Sequence, residues 1–315
     1  MFWGLSCVIK FPVDFSMAPY SIVAAGTTLP PQRVCMPFSL IVSSSDASGN
    51  NSIIPGWVLS SSPYTVARSE TKYATRRKAL RHKHYTGWKI IRPETIALCR
   101  WARKQLESVA VTMGTLSTTT YATDRAIRGI GNNVLSEKGR VSGIKTYTDC
   151  IRRFALEGLL SWILKQEARG SIDRGSLQDA LQLSQNDKIS FFDIDTVYDR
   201  VTWPILPWEA KADQLWAYQK QLLLEEFPIQ GSMVDWVCEL LRILVVLENE
   251  YSAKIYKCKK RDDERGAKTV PGYEEFHTPA EDDAVIKQAK KDAAEVELAV
   301  TRIVGKVQKG YRSKL

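Results

Sequence analysis

The alternation of apolar and polar positions divides the chain into two regimes. Up to about residue 60 the apolar residues come in short clusters separated by Gly, Pro and Ser, as in APYSIV (18–23), AAGTTL (24–29), PPQRVC (30–35) and MPFSLI (36–41). Clusters of that length bounded by turn residues predict short strands. Beyond residue 93 the apolar spacing changes to i, i+3, i+4 and i+7, the period of a helix with one buried face. ETIALCRWARKQLESVAVTM (94–113) is the first such run, opened by Pro93 and followed by Gly114, a Pro-before, Gly-after order that fits helix ends. The helical pattern returns at 147–168, at 208–227, at 233–257 and at 284–310, and a shorter helix is predicted over 171–185 with Ser176 as its cap. TLSTTTYATDRAIRGIGNNVLSEKGR (115–140) is polar and predicts loop with short structure. The final run carries a narrow apolar stripe of Val285, Ala289, Val296, Val300, Ile303 and Val307, suited to docking on the same chain.

One periodicity is internal. Pro19-Tyr20-Ser21-Ile22-Val23 returns eighteen residues later as Pro37-Phe38-Ser39-Leu40-Ile41. Repetition at fixed spacing marks units that bury apolar surface only by stacking on their neighbours. Eighteen residues divide into three sixes, which predicts a coil with three flat faces and small residues such as Gly26 at its corners.

These segments resemble the hexapeptide-repeat left-handed β-helix proteins, the superfamily of trimeric acyltransferases and nucleotide-sugar-linked transferases. The resemblance covers residues 16–60, with IIPGWVLSSSPYTV (53–66) similar to the exit that follows the last coil. The chain also resembles an uncharacterised bacterial and protist family in which such a helix is followed by a basic segment and helices. The resemblance implies an α+β fold: the end of a left-handed parallel β-helix followed by a mostly α-helical domain, assembled as a homotrimer. So few coils would leave an open end with unpaired backbone and exposed apolar interior. Upstream coils are therefore expected to be missing, or another subunit to cover the end. The expected organisation is a disordered start over 1–15, the last coils over 16–60, a basic connector over 61–93, an α-helical domain over 94–258, a charged linker over 259–282 and a C-terminal helix over 283–310.

Charge sharpens the picture. The chain carries +9 overall, but residues 57–104 hold twelve Lys or Arg against two acids, Glu70 and Glu94. Residues 1–56 are neutral and residues 105–315 carry −1, so charge-driven binding maps to 57–104. Within it RSETKYATRRKALRHKHYTGWKIIR (68–92) interleaves cations with Tyr73, Tyr85 and Trp88. A helix over about 66–83 would set Arg68, Lys72, Arg76 and Lys83 along one side.

Arg76, Arg77, Lys78, Arg81 and Lys83 are the candidate phosphate contacts, because guanidinium forks and ammonium groups both hold phosphate oxygens. Three partners remain open for them: a phosphorylated small molecule or nucleotide sugar, a nucleic acid on which the aromatics stack bases, and acidic residues of a neighbouring subunit. A solvated face is the bland alternative. No cofactor is identified.

Acyltransferases of the resembled superfamily use a histidine near the coils as base, and residues 1–60 contain none. His82 is the nearest candidate, with His84 two residues on, and this departure puts acyl transfer in doubt. The only other histidine is His277, so no zinc site is predicted. FFDIDTVYDR places Asp193, Asp195 and Asp199 close together in a pattern that looks like the D-x-D metal motif of glycosyltransferases. No glycine-rich loop or β-α alternation precedes it, so turn acids are the preferred reading. Six scattered cysteines without a C-x-x-C pair read as reduced thiols in a cytoplasmic protein. No apolar run reaches the length of a membrane span, so no membrane partner is expected.

Overall fold

The computed structural model describes residues 1–43, 49–76, 89–109, 120–170, 181 and 212–312. They form two compact units: one from the described residues of 1–62 and 89–151, the other from 63–76, 152–170 and 212–312.

In the first unit the chain makes successive rounds of very short strands. β1 (Phe2–Trp3), β2 (Val8–Ile9) and β3 (Val13–Asp14) each pair in parallel with the strand one round on: β4 (Ile22–Val23), β5 (Thr28–Leu29) and β6 (Gln32–Arg33). β4 pairs in parallel with β7 (Leu40–Val42), Ile22 opposite Leu40 and Val23 opposite Ile41, so the two copies of the repeat lie side by side in register.

The pattern then breaks. β8 (Asn51–Ile54) runs back antiparallel on β7, with Ile41 opposite Ile53, and β10 (Asn133–Ser136) joins β8 in parallel. β9 (Thr120–Ala122) closes the sheet antiparallel to β10. The result is a small mixed six-stranded sheet beside two two-stranded ladders.

The expected left-handed β-helix is not evident. The rounds are not built on sixes: Phe2 faces Ile22 and Val8 faces Thr28 at twenty residues, Val13 faces Gln32 at nineteen, and only Ile22 and Leu40 keep eighteen. The segment over 53–66, expected to be an exit, is instead the antiparallel β8 followed by two helices. Nor does the chain start in disorder, since residues 2–14 supply three strands.

α1 (Trp57–Ser61) follows β8, and α3 (Pro93–Glu107) covers the strands with Ile96, Cys99, Ala102 and Leu106 fully buried. The Thr95 hydroxyl accepts from the Arg92 N–H at 3.0 Å, fixing the start of α3. The polar stretch at 115–140, expected as loop with short structure, contributes β9, the short α4 (Thr123–Ala126), β10 and the first residues of α5 (Glu137–Ala168). Tyr147 on α5 is fully buried and donates its hydroxyl to the Pro37 carbonyl at 2.7 Å.

The second unit is helical. α2 (Pro63–Arg76), α7 (Met233–Thr269) and α9 (Ala284–Arg312) pack on one another, and α6 (Ala212–Glu226) lies against the second half of α5. There Trp162 stacks on Trp216 with ring centres 5.7 Å apart, and Gln219 donates to the Phe154 carbonyl at 3.0 Å. Ser232 caps α7 by accepting from the Asp235 N–H at 3.1 Å, a bond that satisfies one of the four orphan amides of a helix start. α7 runs on to Thr269, so the charged segment expected as a linker over 259–282 is helical for nearly its first half. Lys259 holds it there, reaching Asp263 and the Thr278 carbonyl. The one-turn α8 (Tyr273–Phe276) bridges to α9. Among the described residues no helix is long and apolar enough to cross a membrane.

Candidate functional site

The charge-rich segment falls partly on α2. Val66 turns into the helical unit and is buried, and Tyr64 donates its hydroxyl to Asp283 at 2.8 Å, so one side of α2 is committed to packing. Burial and that bond push the Tyr64 hydroxyl up, against the nearby charge of Arg68. Arg68 is exposed, and Lys72 and Arg76 follow at four-residue steps along the same helix.

α2 is described as far as Arg76, and the rest of the helix expected over about 66–83 lies outside the described residues. Arg77, Lys78, Arg81, Lys83 and both His82 and His84 lie outside the described residues. Asp193, Asp195, Asp199 and Ser176 do so as well. Of the six residues proposed from sequence as site groups, the structure describes only the backbone of Arg76.

The remaining described cations of the basic stretch belong to the first unit, and two of them are tied to neighbours. Arg92 donates to the Tyr20 hydroxyl at 3.0 Å, pairs with Glu94 at 3.2 Å and lies over the Tyr20 ring. Arg103 bonds Thr148 and pairs with Glu107. Lys89 and Lys104 are exposed.

Sequence reasoning missed two charge clusters, one buried and one half-buried. In the first, Glu137 and Arg140 form a two-pronged ion pair with both bonds at 2.7 Å, 4% and 3% exposed. Tyr121 donates to Glu137 at 2.8 Å, and Arg140 also donates to the Leu106 carbonyl at 2.7 Å. The Arg140 bonds hold the Glu137 carboxyl below its ordinary range, outweighing burial. In the second, Arg153 bonds Glu248 at 2.7 Å, pairs with Glu157 at 3.2 Å and sits 4.0 Å from the centre of the Tyr251 ring. Burial pushes the Glu248 carboxyl up despite Arg153. The spacings Glu137–Arg140 and Arg153–Glu157 were visible as helical neighbours, but Tyr121 and Glu248 come from distant segments that no local pattern joins. Each charged group in these clusters has an opposite charge beside it within the fold, so they read as structural pins.

Burial pushes the thiols of Cys35, Cys99 and Cys238 up, the reverse of what a nucleophile or metal ligand needs. Among the described residues no group of three or more His, Cys, Asp or Glu is placed to hold a metal ion. His277 packs edge-on against Tyr273 with ring centres 4.1 Å apart.

No protein-family model, no curated protein and no solved structure matches this chain.

Proposed function

We propose that this chain is a non-catalytic nucleic-acid-binding or scaffold protein whose segment 68–92 neutralises backbone phosphates. The reading rests on one observation: the stretch 57–104 concentrates twelve Lys or Arg against two acids, while the rest of the chain is neutral or slightly acidic. On α2, Arg68, Lys72 and Arg76 follow one another at the spacing of a single helix side. Such a row neutralises phosphates and releases their counterions, a gain that depends on salt and little on sequence. Tyr73, Tyr85 and Trp88, interleaved among the cations, have the chemistry to stack on unpaired bases.

Binding of a fluorescent single-stranded RNA, measured from low to moderate salt, tests it. The logarithm of the association constant falls linearly with that of salt, by about 0.7 per phosphate neutralised on a single strand. Replacing Arg76, Arg77 and Lys78 with Ala flattens that line by roughly two units. Failure to bind RNA even at low salt overturns the reading. Salt-insensitive stabilisation by a nucleotide sugar or coenzyme A would assign the same cations to a small phosphorylated ligand instead.

A further inference from the structure

Two lysines from different helices converge on one aromatic ring in the helical unit. Tyr256 lies half-buried on α7. Lys260, one turn on, brings its ammonium to 5.8 Å from the ring centre, and Lys290 reaches over from α9 to 4.8 Å. Lys259, Lys287 and Lys291 nearby are committed to the carboxylates of Asp263, Asp282 and Glu295. Lys260 and Lys290 are exposed and form no salt bridge among the described residues. Beside them stands Glu281, which accepts the Tyr256 hydroxyl at 2.7 Å, so two cations face one carboxylate there.

We infer that Tyr256, Lys260 and Lys290 form a nucleotide subsite for single-stranded nucleic acid, the ring stacking a base and the two ammonium groups holding the phosphates that flank it. The inference rests on the nucleic-acid reading of segment 68–92 and extends it to α7 and α9.

An ammonium over a ring at an exposed site is held weakly. Either lysine can therefore exchange the ring for a phosphate oxygen, whereas a lysine paired with a carboxylate must first give up that partner. The ring offers a flat surface to any base, and cations on both sides of it meet the charge that the strand brings along. The position suits the basic segment as well. Tyr64 on α2 donates to Asp283, two residues after the Glu281 that holds Tyr256. The trio and the start of the α2 cation row are thus anchored on one turn, where one strand can engage both.

Binding of a fluorescent single-stranded RNA and of inorganic polyphosphate by the whole chain, each across a range of salt, tests the subsite. Tyr256→Leu keeps an apolar side chain on the helix and removes the ring. It is expected to weaken RNA about fivefold or more with an unchanged salt slope, and to leave polyphosphate binding as it was. Tyr256→Phe keeps wild-type affinity although the Glu281 bond is gone. Lys260→Ala combined with Lys290→Ala lowers the RNA slope by about 1.4. Circular dichroism establishes that the variants are folded; if Tyr256→Leu unfolds, the lysine pair, at exposed positions, decides by its slope. RNA binding that depends on Arg76, Arg77 and Lys78 but is unchanged in the folded Tyr256 and lysine variants overturns the subsite and leaves the reading of the basic segment standing. An equal loss of polyphosphate in Tyr256→Leu overturns base stacking at the ring. No RNA binding even at low salt overturns both.

Discussion

Tyr20 and Phe38 stack face to face, with ring centres 5.4 Å apart and planes 14° from parallel, each at a positive φ near 60°. They are the aromatic positions of the two repeat copies, one round apart. Left-handed backbone is costly for a side chain with a Cβ, and the corner is held by bonds that repeat with it. Phe38 N–H donates to the Pro19 carbonyl at 3.0 Å, the Ser21 hydroxyl accepts from the Ser39 N–H at 3.0 Å, and the Ser39 hydroxyl donates to the Met36 carbonyl at 2.7 Å.

Phe38→Ala is therefore expected to destabilise the fold by about 3 kcal/mol or more, since the ring is fully buried and its loss leaves a cavity. A double-mutant cycle with Tyr20→Ala, followed by urea unfolding, should return a coupling of about 1 kcal/mol for the stack itself.

Glu137→Gln leaves Arg140 buried without its counter-charge and is expected to cost about 3 kcal/mol at neutral pH. The sign with pH follows from the carboxyl being held below its ordinary range. The wild-type contribution is complete above the unfolded value of about 4.3 and is lost as pH falls through the lower folded one. Unfolding curves of wild type and variant should thus converge in acid.

The Arg153 cluster has the opposite sign. Arg153→Ala strands Glu248, 8% exposed, and is expected to cost about 3 kcal/mol at pH 7. Burial already raises the Glu248 carboxyl, and without Arg153 it rises further. A raised carboxyl destabilises as pH climbs past its unfolded value, so the deficit should shrink between pH 7 and pH 5. A deficit constant across that range would count against this account.

Gly129 has φ +96, and a Cβ there would lie 2.8 Å from the Trp101 ring; Gly170 has φ +75 with open space around it. Gly170→Ala should cost about 1 kcal/mol for backbone alone, and Gly129→Ala at least about 2 kcal/mol. The difference in thermal unfolding reports the clash with Trp101.

The helical periodicity read from sequence located α3, the later part of α5, α6, α7 and α9, because a buried face repeats every three to four residues whatever it packs against. Of the C-terminal stripe, Val285, Val300 and Ile303 are buried and Ala289 and Val296 half-buried, while the Val307 side chain lies outside the described residues. Boundaries were less legible. α5 begins ten residues before its apolar run, where Glu137 and Arg140 are buried as a pair and so look polar in sequence. α7 continues through a charged stretch that Lys259 anchors by contacts to Asp263 and Thr278. Of the candidate site, the sequence located the cations of α2 but not what surrounds them.

What the chain determines by itself is local: helical periods, the repeated Pro-aromatic-Ser corner, and a basic segment set apart from neutral flanks. Side-chain spacing and backbone preference act over a few residues, so they leave their mark in a short window. Tertiary structure alone decided that β8 turns back on β7, that β10 joins β8 from eighty residues away, and that Glu248 comes to Arg153. Those pairings depend on which distant surfaces exclude water together, and two-residue strands and single buried charges carry too little local pattern to name their partners.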